Sequence, residues 1–120
     1  MGTADNARIM YQRGVMPLVI MSLLRKEDMY GYQLVHEINH FSGGNITTQL
    51  GSLYPVLYKL QDQGYISERK ELVGKRMTRV YYHLEPKGEV RLQELIQDYK
   101  KVAQGVFQII QEGEGENDGK

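Results

Sequence analysis

The chain has 120 residues, enough for one domain with a real core but little room for an enclosed active site. It contains no cysteine, which excludes a disulfide framework, a thiolate metal site and a thiol nucleophile. Fifteen Lys/Arg balance fifteen Asp/Glu, so bulk charge does not announce a polyanion-binding protein; residues 1–84 carry ten basic against seven acidic side chains, and residues 85–120 five against eight.

Residues 1–7 are polar and read as a frayed start. No apolar run reaches membrane-spanning length, and MGTADNARIMYQRG lacks a signal peptide's apolar core, so the expectation is a soluble cytoplasmic protein. GVMPLVIMSLLRKED predicts a first helix with Pro17 near its start, where a missing N–H matters least. Val15, Leu18, Val19, Met21 and Leu23 leave it almost no polar face, so it should be buried on several sides. In MYGYQLVHEINHFSGG, Leu34, Ile38 and Phe41 form a stripe at helical spacing that Gly43-Gly44 ends. LGSLYPVLYKL supplies a third helix, with Gly64 as terminator. YISERKELV and MTRVYYHL have strand composition around a GKR turn, which gives a β-hairpin with a basic tip. EPKGEVRLQELIQDYKKVAQGVFQII is a long helix, and EGEGENDGK should be disordered because it has no apolar residue.

Three helices followed by a two-stranded hairpin is the element order of a winged helix-turn-helix. The expected fold is therefore mainly α with a two-stranded β-hairpin. It divides into a winged-helix unit over residues 1–85, a C-terminal helix over 86–111 and a tail over 112–120. The third helix would be the recognition helix, yet Pro55 sits inside it. If Thr48 caps the helix, Pro55 is interior and breaks the bond to the Gly51 carbonyl. If Ser52 caps it, Pro55 falls among the first N–H groups, which lack partners anyway. The late start is the favoured reading. Such a start suits DNA: Gly51 lets backbone approach a phosphate, free N–H groups and the helix dipole attract it, and Ser52 and Tyr54 add hydroxyls. A buried helix with a capping serine would need no DNA.

YGYQL (Tyr30 to Leu34), GSLYPVLYKLQDQGYI (Gly51 to Ile66) and RVYYHLEPKG (Arg79 to Gly88) together resemble the PadR family of bacterial transcriptional regulators. The resemblance covers about residues 12–110; Gln61 and Glu85 depart from the family's usual glutamate and threonine. It implies a dimeric winged-helix repressor that binds double-stranded DNA, not an enzyme, and no cofactor. By position, Gly51, Ser52, Tyr54 and Pro55 would form the DNA-facing start of the recognition helix. Lys75 and Arg76 at the wing tip would reach a phosphate or neighbouring groove, with Lys59 a weaker candidate.

In the last helix, Leu92, Leu95, Tyr99, Val102, Val106 and Ile109 are spaced as a heptad seam, which Ile96, Ala103, Phe107 and Ile110 widen. The 26 residues would span roughly 39 Å, more than the rest of the domain can cover. The expected partner is the same helix of a second subunit, together with the first helix. The resemblance implies the same for members with one C-terminal helix. A two-fold dimer reads an inverted repeat with half-sites about 10 bp apart, or a multiple of that. The resemblance also implies a small aromatic or drug-like effector. Met10, Tyr11, Met16, Tyr99 and Phe107 are the residue types to line its site, although all five are ordinary core residues too.

His36-Glu37-Ile38-Asn39-His40 matches H-E-x-x-H, the signature of zinc proteases. At about 100° per residue both histidines fall opposite Leu34 and Ile38, on the solvent side. The remaining histidine, His83, lies on a wing strand with no reason to converge. No metal site is therefore assigned. A third class, a helical adaptor without DNA activity, differs by lacking salt-dependent binding to a palindromic fragment.

Overall fold

A computed structural model describes the backbone of residues 3–118 and the side chains of residues 7–115. Residues 1–2 and 119–120, the ends of the expected frayed start and disordered tail, lie outside the described residues. The order is α1 (Thr3–Leu24), β1 (Met29–Tyr30), α2 (Gly31–Phe41), α3 (Leu50–Asp62), β2 (Ile66–Val73), β3 (Met77–Leu84) and α4 (Pro86–Asp118). This is the expected mainly helical winged-helix architecture with a long C-terminal helix. The sheet has three strands in the order β1-β3-β2, because Met29 and Tyr30 pair antiparallel with Tyr82 and Tyr81.

The helices pack through the stripes their spacing predicts. Ile20 and Met21 of α1, Leu34 and Ile38 of α2, and Leu53 and Leu57 of α3 are at most 2 % exposed. Met29, Ile66 and Tyr82 close this core from the sheet, and Leu92 closes it from α4. Burying each such side chain contributes about 1.5–3 kcal/mol. The helix ends are chemically explicit. After α3, Gly64 adopts φ +79°, its N–H bonds the Gln61 carbonyl and the Tyr65 N–H bonds the Leu60 carbonyl. This double closure needs a left-handed residue, which glycine supplies without strain. Gly43 and Gly44 end α2 with the same pair of bonds, to His40 and Asn39.

Several expectations change. α1 begins at Thr3, so Pro17 is interior and leaves the Arg13 carbonyl without its helical donor. The buried residues Met16, Ile20, Met21 and Leu24 hold the helix across that gap. Phe41 does not complete the α2 stripe. It is 57 % exposed, with the Lys26 ammonium 4.1 Å from its ring centroid. α4 continues past Gln111 as helix to Asp118, through the segment expected to be unstructured. Extending an existing helix needs no new nucleus, which a composition argument does not count. At its other end, Gly88 lets the first turn of α4 press against Tyr65, just ahead of β2, and Leu84 at the end of β3. A Cβ there would collide with the Tyr65 carbonyl, the same carbonyl that accepts the Glu85 N–H.

Candidate nucleic-acid interface

α3 starts at Leu50, with Gln49 as N-cap in extended conformation and no side-chain cap bond. The Ser52 and Leu53 N–H groups both donate to the Gln49 carbonyl at 3.0 Å. The late start at Ser52 is therefore not found, and Thr48 does not cap either; its hydroxyl donates to the Gln49 carbonyl at 3.4 Å. Pro55 is inside the helix and cannot donate to the Gly51 carbonyl. The buried face of Leu53, Leu57 and Leu60 holds α3 in spite of that missing bond. Freed from capping, Ser52 is exposed, as are Gly51 and Pro55. The Gly51 position has nothing within 4 Å of a Cβ. The first turn thus offers open backbone and a hydroxyl.

Tyr54 is partly buried rather than fully exposed. Its ring stacks on the exposed Tyr58 at 5.7 Å between centroids, and its hydroxyl points toward buried Gly31 at the start of α2. A Cβ on Gly31 would lie 2.7 Å from Leu50 Cδ1, so this glycine sets how closely α2 and α3 cross. Lys59 is exposed but turns toward α1 and α4 rather than toward the wing.

In the wing, β2 and β3 pair from Ile66↔Leu84 to Val73↔Met77, and Gly74 at φ +72° makes the turn. Lys75 and Arg76 are exposed at the tip. Strand alternation sorts the other charges. Glu68 and Lys70 share the face of buried Ile66 and Tyr82, the face turned to α3. Burial pushes the Tyr82 hydroxyl up to about 12, with smaller contributions from Glu68, Tyr54 and Tyr58. Lys70 is therefore a cation on the wing face turned to α3, and it was not among the expected site residues. Period-two counting from Ile66 would have found it.

The opposite sheet face braces the wing. Asp28, ahead of β1, holds His83 Nδ1 at 2.7 Å and accepts from Arg69 Nε at 3.3 Å. Arg69 also donates to Glu71 at 2.6 Å, and Glu71 and then Asp28 raise its pKa. The Arg79 guanidinium lies 4.1 Å over the Tyr30 ring. Asp28 thus ties both wing strands to the body of the domain.

The seam residues of α4 divide. Leu92 is fully buried in its own core and Leu95 is partly buried, while Tyr99, Val102, Val106 and Ile109 are 49–75 % exposed. Beside them, α1, α3 and α4 enclose an open groove of about 590 Å³. Of the five residues assigned to an effector, Tyr99 lines it. Met16 is core, and Met10, Tyr11 and Phe107 are exposed away from it. His36 and His40 stack on the outer face of α2 at 6.1 Å between centroids. Among the described residues, no group of three or more His, Cys, Asp or Glu is arranged to hold a metal ion, and no helix is long and apolar enough to cross a membrane.

Residues 20–94 match the transcriptional regulator PadR-like family. The chain is 38% identical over 66 residues to the transcriptional regulator YqjI of Escherichia coli, covering 55% of this chain but only 32% of that relative. The negative transcriptional regulator PadR of Bacillus subtilis is 26% identical over 92 residues, 77% of this chain and 50% of the relative. Its crystal structure in complex with operator DNA superposes with a TM-score of 0.64 at 28% identity, over 68% of this chain and 46% of that one. A PadR family regulator from Eggerthella lenta superposes with a TM-score of 0.78 at 25% identity, over 90% and 92% of the two chains. The match spans α2, α3, the wing and the start of α4, so the chain belongs to the PadR-like family, whose members are transcriptional regulators and not enzymes.

Proposed function

We propose that this chain is a homodimeric, sequence-specific repressor that binds an inverted-repeat operator in the cytoplasm and is relieved by a small apolar effector. The observation that carries this reading is the pairing of two exposed features on one molecule. One is the open α3 start at Gly51, Ser52 and Pro55, beside a wing bearing Lys70, Lys75 and Arg76. The other is an α4 that extends its apolar strip beyond the domain. Phosphate contacts from the wing and helix start position the protein, and α3 side chains in the major groove select bases. Two copies related by a two-fold place two α3 helices on one face of DNA, with half-sites about 10 bp apart or a multiple. The Bacillus subtilis complex with operator DNA supports the DNA-binding part of the reading. The effector part rests on Tyr99 and the groove alone.

The test is protection of the DNA upstream of the protein's own gene, measured against salt. Protection of an inverted repeat, with affinity falling steeply as salt rises, is the expected result. Binding that ignores the two-fold symmetry of the site, or no binding at low salt, would sink the proposal.

A further inference from the structure

α3 presents one open strip to solvent. At about 100° per residue, Gly51, Pro55, Tyr58 and Asp62 fall within about 60° of one another, opposite the buried Leu53, Leu57 and Leu60. All four are exposed, Tyr58 to 53 %. Gly51 has no side chain, Pro55 has no polar side-chain atom, and Asp62 would bring a negative charge to a polyanion. Lys59 turns to α1 and α4. The Ser52 hydroxyl, beside the strip, both donates and accepts, so it distinguishes bases poorly. Along this strip one side chain remains that can reach a base edge and tell bases apart. We propose that Tyr58 is the base-reading residue of α3 and selects thymine through its ring, with Tyr54 as the positioning residue that holds the ring. The proposal rests on the DNA-binding reading above and names the contact that gives it sequence preference.

Reach follows from what surrounds Tyr58. Gly51 and Pro55 leave the first turns of α3 without bulk on this strip, so the backbone can come close to the groove floor. Tyr58, one turn further, projects beyond them. Asp62, one turn on again, is repelled by phosphates, so the helix leans in at its N-terminal end. The ring rather than the hydroxyl carries the selection. A phenol O–H donates and accepts, so it fits several base edges. The C5-methyl of thymine is an apolar group in the major groove that the other three bases lack.

An exposed side chain ordinarily loses rotamer freedom when it binds. Here that freedom is already restricted. The Tyr58 ring lies nearly parallel to that of Tyr54, with 5.7 Å between centroids and 11° between planes, an offset stack. Tyr54 is half-buried, and its hydroxyl lies 3.5 Å from where a Cβ on Gly31 would stand. The close crossing of α2 and α3 thus fixes Tyr54, and Tyr54 fixes Tyr58. A ring held before binding is placed against a base at a smaller entropic cost.

The probe is the duplex that the wild-type protein selects from a random-sequence library, with each thymine replaced in turn by uracil, which removes only the C5-methyl. One thymine per half-site should matter. Its uracil duplex should bind wild-type protein about fourfold more weakly per half-site, the worth of one buried methyl group. Tyr58→Ala should bind thymine and uracil duplexes alike. It should weaken the selected duplex roughly tenfold per half-site, with affinity for a scrambled duplex unchanged. Tyr58→Phe keeps the ring and should keep the thymine preference. Tyr54→Phe keeps the stack and should keep it too. Tyr54→Leu removes the stack and should lose the preference while binding the scrambled duplex as before, a readout that a merely structural tyrosine would not give. A thymine preference that survives Tyr58→Ala or is lost in Tyr58→Phe overturns the proposal, and so does a scrambled duplex weakened as much as the selected one. A preference that survives Tyr54→Leu overturns the positioning role. A wild-type chain that enriches no sequence from the library instead overturns the sequence-specific reading beneath.

Discussion

Gly51 and Gly88 are both helical glycines, and replacing each by alanine should move stability in opposite directions. Alanine is ordinarily better than glycine in a helix by about 1 kcal/mol. At Gly51 a Cβ meets open space, so Gly51→Ala should raise the unfolding free energy by up to about 1 kcal/mol. If the bare backbone there approaches a phosphate, the same variant should bind operator more weakly. Better folding with poorer binding, read by denaturant titration and gel shift, is a result that a purely structural glycine cannot give. At Gly88 a Cβ strikes the Tyr65 carbonyl and lies 2.7 Å from Leu84 Cδ1. Gly88→Ala should therefore cost about 1–3 kcal/mol, because overpacking outweighs helix propensity. Tyr82 gives a pH test. The residue is 2 % exposed, and burial pushes its hydroxyl from the ordinary 10 up to about 12. The unfolded chain loses that proton first as pH rises. The stabilisation is whole below pH 10 and is lost between pH 10 and about 12, to the extent of roughly 2 kcal/mol. Tyr82→Phe should flatten this alkaline slope in thermal unfolding.

At the scale of elements, the wing should act through phosphates rather than bases. Lys75→Ala with Arg76→Ala should weaken binding to every sequence and lower the salt slope by about one unit for each phosphate no longer neutralised. An unchanged slope would leave the tip a solvated turn. Lys70→Ala, on the wing face turned to α3, should behave in the same way. The element order was legible because apolar period and turn residues agreed: Leu34 with Ile38, Leu53 with Leu57 and Leu60, and Gly64 as terminator all stand where their spacing put them. What was not legible depended on tertiary partners. β1 is two residues long, too short for any periodicity, and exists only because β3 is beside it. Side-chain capping at Thr48 or Ser52 predicts the wrong start for α3, because the helix begins at Leu50 behind Gln49, whose side chain makes no cap bond. Its buried leucines decide the matter instead. Tyr54 was expected on the open face, but the close crossing at Gly31 draws its ring partly inside. The last turns of α4 were read as coil from their glycines and acids. They are helical to Asp118, yet they pack on nothing within the chain that a Cβ at Gly113 or Gly115 would meet. Their amides should therefore exchange fastest in α4, unless a second subunit covers them.

The molecule extends 69 × 36 × 21 Å, a long axis that a compact domain of this size would not need. α4 alone has 33 residues, about 50 Å of helix at 1.5 Å per residue. Its exposed Val102, Val106 and Ile109 form a strip that water solvates poorly, and a second copy is the partner always present. Replacing Val102 and Val106 by Glu puts two charges per subunit into that strip. These side chains touch no core in the free protomer, so the winged-helix unit should keep its fold and its thermal transition. Sedimentation should show monomers. Operator binding should fall by about 10²–10⁴, because the second half-site is then no longer delivered at high effective concentration. Weak binding to a single half-site should survive, with roughly half the salt slope, since each protomer keeps its own wing and α3. That residual binding is the informative part. If the variant is monomeric and binds no DNA even at low salt, dimerisation does more than join two readers, and it sets α3 in its working position. If the variant still sediments as a dimer, the strip on α4 is not the interface.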